Sequence, residues 1–421
     1  MLSSRLPKDL SPSPFFAELE RAKAESAPFI DMTVSSPVKA GLPVEMDVAV
    51  ESARNGFGCW NPDAAGWKSA REAVVEYYRE RGGNFTAGQV ILTASTSEAY
   101  SVLFKTFCDP GDVILTPMPG YPLLDTLAQL EHLECAPYFL QLKREKSSFR
   151  FVLDSDSLLA APEKAKILLL VSPHNPTGHC VSREEWNVAV RFCEENNMIL
   201  VVDEVFGDYG FSKKVHRSWE YLLGESSSTK RSAGGDPYIS GSSCDFFDAG
   251  EGDLINLPEN GPRCPIFWLN GLSKAVGSPQ LKLGWMAFYA PREKFEEIRA
   301  ALEFVEDAYL SVSAPAQALG MSLLPKAAAY EAQVKERLLA NWQTLREAFP
   351  AKYCPEVLGG WYAVVRLGED DEELTLRLLK EKHVLVQPGF FFDFDEDGWV
   401  VISLLQEPAI FKEAVQRMKD L

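Results

Sequence analysis

KILLLVSPHNPTGHCVSREEWNVAVRFCEENNMILVVDEV, residues 166–205, is the stretch from which the fold can be read. KILLLVSP (166–173) has the length and apolar density of a buried strand. REEWNVAVRFCEENN (183–197) repeats its apolar residues at helical spacing, and MILVVDEV (198–205) returns as a second apolar strand. Strands without polar alternation must be covered on both faces, and a strand–helix–strand unit of this kind builds a parallel sheet.

The same pattern extends toward the N-terminus. VILTAS (90–95) precedes the helical segment SEAYSVLFKTF, and VILTPMP (113–119) precedes YPLLDTLAQLEHL. The chain is therefore expected to be α/β, with a mostly parallel sheet flanked by helices. In such sheets ligands gather at the carboxyl ends of the strands, on the loops that lead into the helices. Toward the C-terminus the pattern changes. A long helical stretch (about 315–349) leads to WYAVVRL, the helix EELTLRLLKEK, then VLVQPG, WVVISLL and a closing helix. This predicts a small α+β domain with a short antiparallel sheet.

At 421 residues the chain has room for two or three folding units. Its net charge of -18 argues against nucleic acid or an anionic membrane as the main partner, since phosphate-binding surfaces need a basic face. No apolar run approaches the ~20 residues of a membrane span, and the N-terminus lacks the apolar core of a secretory signal. Eight scattered cysteines without a C-x-x-C pair read as reduced thiols in a cytoplasmic protein, and no metal site is expected. Residues 225–265, rich in Gly, Ser, Pro and acid, read as a long surface loop; a lid or partner-binding insert is the alternative.

Four strand-end loops carry candidate chemistry. NGLSKAVGSPQLKLGW (270–285) places Lys274 after a small-residue turn, with Lys282 eight positions on. An amine desolvated in a pocket has a lowered pKa and can attack an aldehyde. VVDEVFGDY (201–209) ends an apolar strand on Asp203, an expensive place for a carboxylate without a cation. SPHNPTGHC (172–180) contains N-P-T-G, with Asn175 28 residues before Asp203. TASTSEAYS (93–101) sets Ser95, Thr96 and Ser97 at a helix N-terminus, where backbone N–H groups favour a phosphate or, failing that, a simple cap. His174 and His179 flank the N-P-T-G turn and read as plain loop residues.

In this order the motifs resemble those of fold-type I pyridoxal-phosphate enzymes, in the class I/II, aspartate-aminotransferase-like branch. The resemblance runs from about Ile30 through the C-terminal part. It implies pyridoxal 5'-phosphate as cofactor, Lys274 as the Schiff-base lysine, and Asp203 as partner of the pyridine nitrogen. It further implies Asn175 on the phenolic oxygen, Tyr121 (in PMPGYP) stacked on the ring, and Ser95, Thr96, Ser97 and Lys282 around the phosphate. A large domain of residues 45–312, a small one from residues 1–44 and 313–421, and a homodimer are implied as well.

The sequence departs from that family in places. Phe206 replaces a tyrosine whose hydroxyl meets the phenolic oxygen, Gly271 replaces a serine, and Lys282 replaces an arginine. Trp60 stands where a tyrosine commonly reaches into the neighbouring subunit, and Ser35 where a glycine lines the substrate-carboxylate end. In GWVVIS (398–403), Val401 takes the place of the arginine that grips the substrate α-carboxylate. A charge-assisted hydrogen bond contributes about 1.5–3 kcal/mol, so such a loss changes substrate choice. Either the substrate lacks an α-carboxylate in the usual pose, or another cation holds it, a lysine such as Lys412 or Lys382 or a group from the insert. The expected reaction is transamination between an amino acid or amine and a keto acid or aldehyde. A β- or γ-eliminating lyase and a cofactor-binding regulatory protein are the alternatives.

Overall fold

The computed structural model describes residues 3–223 and 261–421, apart from residues 8, 12, 27, 44, 146–147, 311 and 369. Most of the 225–265 segment lies outside the described residues. Eight strands form the main sheet: β2 (Val90–Thr93), β3 (Val113–Met118), β4 (Glu134–Glu145), β5 (Ser148–Leu153), β6 (Ala165–Val171), β7 (Ile199–Asp203), β8 (Ile266–Gly271) and β9 (Gly284–Tyr289). Their spatial order is β2-β9-β8-β7-β6-β3-β4-β5. A short strand β1 (Ile30–Asp31) precedes them in the chain.

The apolar strands divide their side chains between two cores. Ile167 and Leu169 of β6 and Ile199 and Val201 of β7 pack on the face covered by the Thr96–Phe107 and Phe295–Tyr309 helices. Leu168, Leu170, Leu200 and Val202 enter the larger core on the opposite face. Burial of each such side chain contributes about 1.5–3 kcal/mol, which explains why these strands carry no polar alternation.

The pairings β3–β4, β3–β6, β6–β7 and β7–β8 are parallel. Strand β9 is antiparallel to both β2 and β8, and β5 is antiparallel to β4. The sheet is thus mixed rather than wholly parallel. The reversal of β9 has a spatial consequence. Its amino end lies at the edge where β2, β3, β6, β7 and β8 have their carboxyl ends, so residues just before β9 join the loops just after the others.

A second, antiparallel sheet contains β10 (Tyr362–Arg366), β12 (Gln387–Pro388) and β13 (Trp399–Ser403), in the order β10-β13-β12. Strand β11 (Val384–Leu385) pairs in parallel with β1, tying the N-terminal segment to the C-terminal part of the chain. The predicted long helix near 315–349 is two helices, Ala314–Leu323 and Ala327–Ala348, joined by a short 3-10 turn at Leu324–Lys326.

Candidate active site

Each singled-out loop leaves the same edge of the main sheet. Asp203 ends β7 and pairs in register with Val171 of β6 and Leu269 of β8. Asn175 follows β6, Lys274 follows β8, and Tyr121 follows β3. Ser95 caps the helix after β2, its hydroxyl accepting from the Glu98 N–H at 3.2 Å. Lys282 precedes β9, with a left-handed φ of 53° and an exposed side chain. Sequence positions almost two hundred residues apart therefore meet because strand direction brings them to one edge.

The Lys-x-Gly part of the 270–285 motif has a packing reason. Gly284 backs onto the turn that starts the Thr96–Phe107 helix, and a Cβ there would lie 2.9 Å from the Ser95 carbonyl carbon. Glycine lets β9 approach that helix N-terminus. An α-helix begins with N–H groups that have no partner within it. Ser95 satisfies that of Glu98, while Glu98 returns its carboxylate to the Ala94 N–H. The N–H groups of Thr96 and Ser97 complete the first turn, a donor set suited to an anion.

Lys274 is half-buried, with its amine beside the Trp361 and Phe206 rings. Burial lowers its pKa from the ordinary lysine value to about 8, and the Asp203 carboxylate opposes that shift. Among the described residues no carboxylate forms an ion pair with it. Burial raises the Asp203 pKa, opposed by a Tyr100 hydroxyl at 2.7 Å, the Val205 N–H at 3.0 Å and Lys274. Sequence reasoning missed Tyr100. It lies inside the TASTSEAYS motif, but only the packing of that helix over β7 turns its hydroxyl onto Asp203.

The Asn175 amide is buried with its oxygen unpartnered, a polar group left for something outside the chain. Its turn is held from two sides. Gly178 adopts φ +69°, and its carbonyl accepts from Leu358 and Gly359 N–H at 2.9 and 3.2 Å. His174 and His179 lie in the loop, as expected, and are buried there. His174 shares a 2.9 Å hydrogen bond with Thr177, and burial, aided by His179, lowers its pKa to about 3. His179 lies 3.2 Å from Glu185. The pair packs the underside of the loop that presents Asn175.

Behind the site is a buried ionic network. Asp208 accepts from Arg217 at 2.6 Å, Arg81 at 2.7 Å and Tyr77 at 2.7 Å. Burial pushes the Asp208 carboxyl up, but the two guanidinium groups win and hold it below the usual range. Glu204, next to Asp203, accepts from Ser218 N–H at 2.7 Å and from Arg217 at 3.1 Å. Paired on all sides, these groups fix the loop after β7.

The other wall of the site comes from the second sheet. Val401 is fully buried and pairs with Val364 of β10. Directly opposed residues of an antiparallel pair share a face. Tyr362 and Ser403 are the next pair on that face. Tyr362 packs edge-on against Phe206 at 5.8 Å and shares a hydrogen bond with Ser35. Lys382 donates to the Asp420 carbonyl at 2.7 Å, and Lys412 is exposed on the last helix, so both are otherwise accounted for. Trp60 is 85 % exposed, and Tyr121 is 45 % exposed at the mouth of the cluster.

Set against pyridoxal 5'-phosphate, the cluster offers groups of the right kinds. Among the described residues they are a half-buried amine without an ion pair, a buried carboxylate, a buried side-chain amide and a helix N-terminus on the edge that also carries Lys282.

Residues 60–418 match the family described as Aminotransferase class I and II. Glutamate-pyruvate aminotransferase AlaA of Haemophilus influenzae is 22 % identical over 96 % of this chain and 93 % of its own. The mouse tyrosine aminotransferase is 25 % identical over 98 % of this chain and 86 % of its own. Among solved structures, an alanine aminotransferase from Pyrococcus furiosus superposes with a TM-score of 0.79 at 21 % identity, covering 100 % of this chain and 99 % of the other. The family match spans every strand of the main sheet and every loop described above, and the chain accordingly belongs to the class I and II aminotransferases and is an aminotransferase.

Proposed function

We propose that the strand-end cluster binds pyridoxal 5'-phosphate and that this aminotransferase works on a substrate whose recognised end is uncharged. Lys274 would be the amine that holds the cofactor's aldehyde. Asp203, Asn175 and Tyr121 would hold its ring, and Ser95, Thr96, Ser97 and Lys282 its phosphate. When bound, the cofactor supplies an electron sink for the carbon that loses its proton. The rest is done by the chain. Lys274 accepts and returns the proton at Nζ, Asp203 keeps a negative charge at the far end of the site, and the buried surroundings exclude water.

The observation that carries this reading is the position of Lys274. Its half-buried side chain stands at the carboxyl edge with Asp203, its pKa lowered by desolvation to about 8, with no ion pair among the described residues to quench it. A visible spectrum of the purified protein tests it. A cofactor band is expected in the wild type and absent from Lys274→Ala; an unchanged band in that variant would refute the assignment.

Amino acid and keto acid substrates follow from family membership. The finer reading concerns Val401. On its face stand Val364, Tyr362 and the Tyr362–Ser35 hydrogen bond, hydroxyls and hydrocarbon in place of a guanidinium. This favours a donor or acceptor lacking an α-carboxylate in the usual pose over a substitute cation. A matched panel of α-amino acids and their decarboxylated amines decides the matter; preference for the acids would overturn it.

Two further expectations join this proposal. The chain divides into a large domain of residues 45–312 and a small one of residues 1–44 and 313–421, with the cluster between their sheets. It acts as a cytoplasmic homodimer, a state supported by Trp60 and Phe57, large rings left 85 % and 80 % exposed. Sedimentation of the wild type and Trp60→Ala checks the second. Among the described residues no helix is long and apolar enough to cross a membrane.

A further inference from the structure

The segment that leads into β10 is strung across the loops of the main sheet. Leu358 and Gly359 donate to the Gly178 carbonyl, Gly360 N–H donates to the Tyr209 carbonyl at 3.0 Å, and Leu404 N–H donates to the Trp361 carbonyl at 2.8 Å. These bonds deliver Trp361 to one place. Its ring is fully buried, 5.4 Å from Phe206 and 5.2 Å from Tyr209, inclined at 58° and 59°. The Nζ of Lys274 lies 4.7 Å from the centre of the Trp361 ring and 5.4 Å from that of Phe206. Tyr209 also fixes the lysine's backbone, its hydroxyl donating to the Lys274 carbonyl at 2.6 Å.

We propose that Trp361 is a positioning residue for Lys274: with Phe206 it forms a two-ring cage that favours the cationic form of Nζ and fixes its direction. This role rests on the reading of Lys274 as the cofactor's lysine. The physical basis is the ring quadrupole, whose negative face attracts an ammonium, most strongly for tryptophan and more so when water is excluded. A hydroxyl donor beside the same nitrogen has the opposite effect, since it favours the unprotonated form.

The other groups facing Lys274 are identifiable. Asp203, at the end of β7, favours its charge and is itself held by Tyr100. Tyr121 stands at the end of β3, Tyr362 at the start of β10, and Tyr209 beneath. Tyr330 reaches the same loop at Gly277, where a Cβ would meet its hydroxyl. Lys282 is the other cation of this edge, and its side chain is exposed. Among the described residues, Trp361 and Phe206 are the two rings that present a cation–π contact to Nζ.

The test is a pH titration of the visible cofactor band in the holoenzyme, for the wild type, Trp361→Phe, Trp361→Leu and Phe206→Leu. Trp361→Leu removes the stronger half of the cage, and the midpoint of the nitrogen at Lys274 is expected to fall by about one unit. Trp361→Phe keeps a weaker ring and is expected to give roughly a third to a half of that shift. The alkaline or acid limb of the kcat/KM profile should move with the band. A ring that serves only as packing would lower the melting temperature and leave the midpoint in place. An unmoved midpoint in Trp361→Phe, the variant that best preserves the core volume, overturns the proposal even where Trp361→Leu does not fold. Absence of any lysine-linked band in the wild type is a different result; it removes the cofactor reading itself, before a variant is made.

Discussion

The two ends of the site are built on opposite principles. At the main sheet, buried charge is placed and partnered: Asp203 with Tyr100 and Val205, Lys274 near Asp203, Asp208 and Glu204 with Arg217. At the second sheet the wall is neutral, with Val401, Val364 and Tyr362 on one face and a hydroxyl pair at Ser35. A charged wall can grip a carboxylate; a neutral one leaves such a group desolvated and unpaired, at a cost of several kcal/mol. On the proposed reading, the chemistry of amino transfer needs the first end, while substrate choice belongs to the second. One end can therefore diverge while the other is kept.

The largest test of this contrast is Lys274→Ala. On the role proposed for Lys274, joining the cofactor and moving the proton, its loss is expected to lower turnover by about 10^4-fold or more, measured in single-turnover assays. Asp203→Asn comes next, with an expected loss on the order of 10^2–10^3-fold, because a preorganised charge is removed from a buried site. A loss below tenfold would mean that Asp203 does not face developing charge. At the neutral wall the effects are smaller. Tyr362→Phe removes one uncharged hydrogen bond and is expected to cost about fivefold in kcat/KM, with discrimination against α-carboxylates unchanged.

Proton dependence separates the ends further. Lys274 must be neutral to attack an aldehyde, and its pKa is lowered to about 8. The rate at which apoprotein combines with pyridoxal phosphate should rise about tenfold per pH unit below 8 and level off above it. Mixing experiments followed at the cofactor band read this directly. A rate that rises on to pH 10 would indicate a solvated lysine.

The smallest expected effect concerns a buried carboxyl outside both ends. Glu306, on the Phe295–Tyr309 helix, is 2 % exposed, with Oε1 unpartnered. Burial, then the nearby Glu98, raises its pKa to about 8 from an ordinary value near 4.5. The folded protein holds this proton more tightly than the unfolded chain, so its contribution is full below pH 4.5 and is lost as pH rises toward 8. Glu306→Gln is expected to stabilise the fold by about 1–3 kcal/mol at pH 9 and by little at pH 5. Equal denaturant midpoints at pH 9 would contradict it. The contrast with Asp203 is instructive: two buried carboxyls, one held by Tyr100 and Val205, the other with an oxygen left unpartnered among the described residues.

Much of the cofactor end was legible before the fold was known. Apolar runs identified β2, β3, β6 and β7, the rule that ligands sit at strand carboxyl ends said where to look, and Asp203, Asn175 and Lys274 each lie on such a loop. Local sequence carries these because a strand, a turn and a helix cap are local structures. Strand β9 was different. Its reversal, which puts Lys282 on the same edge, rests on pairing with β8, its neighbour in the chain, and with β2, almost two hundred residues earlier. Tyr100 carries no mark in the sequence that sets it apart, and nothing in the sequence showed that the two histidines beside Asn175 would be buried.

The chain itself decided that an apolar α/β core would form, that Lys274, Asp203 and Asn175 would follow its strands, and that no arginine would stand at position 401. These are matters of composition, periodicity and residue identity. Only the tertiary structure decided what surrounds Lys274. Trp361 lies 87 residues further along the chain, and neither periodicity nor a turn signal marks it. It reaches the lysine because backbone hydrogen bonds at Gly178, Tyr209 and Leu404 hold its segment across the sheet edge. Contacts of that kind arise from the closing of two sheets on each other, and no local stretch of sequence contains them.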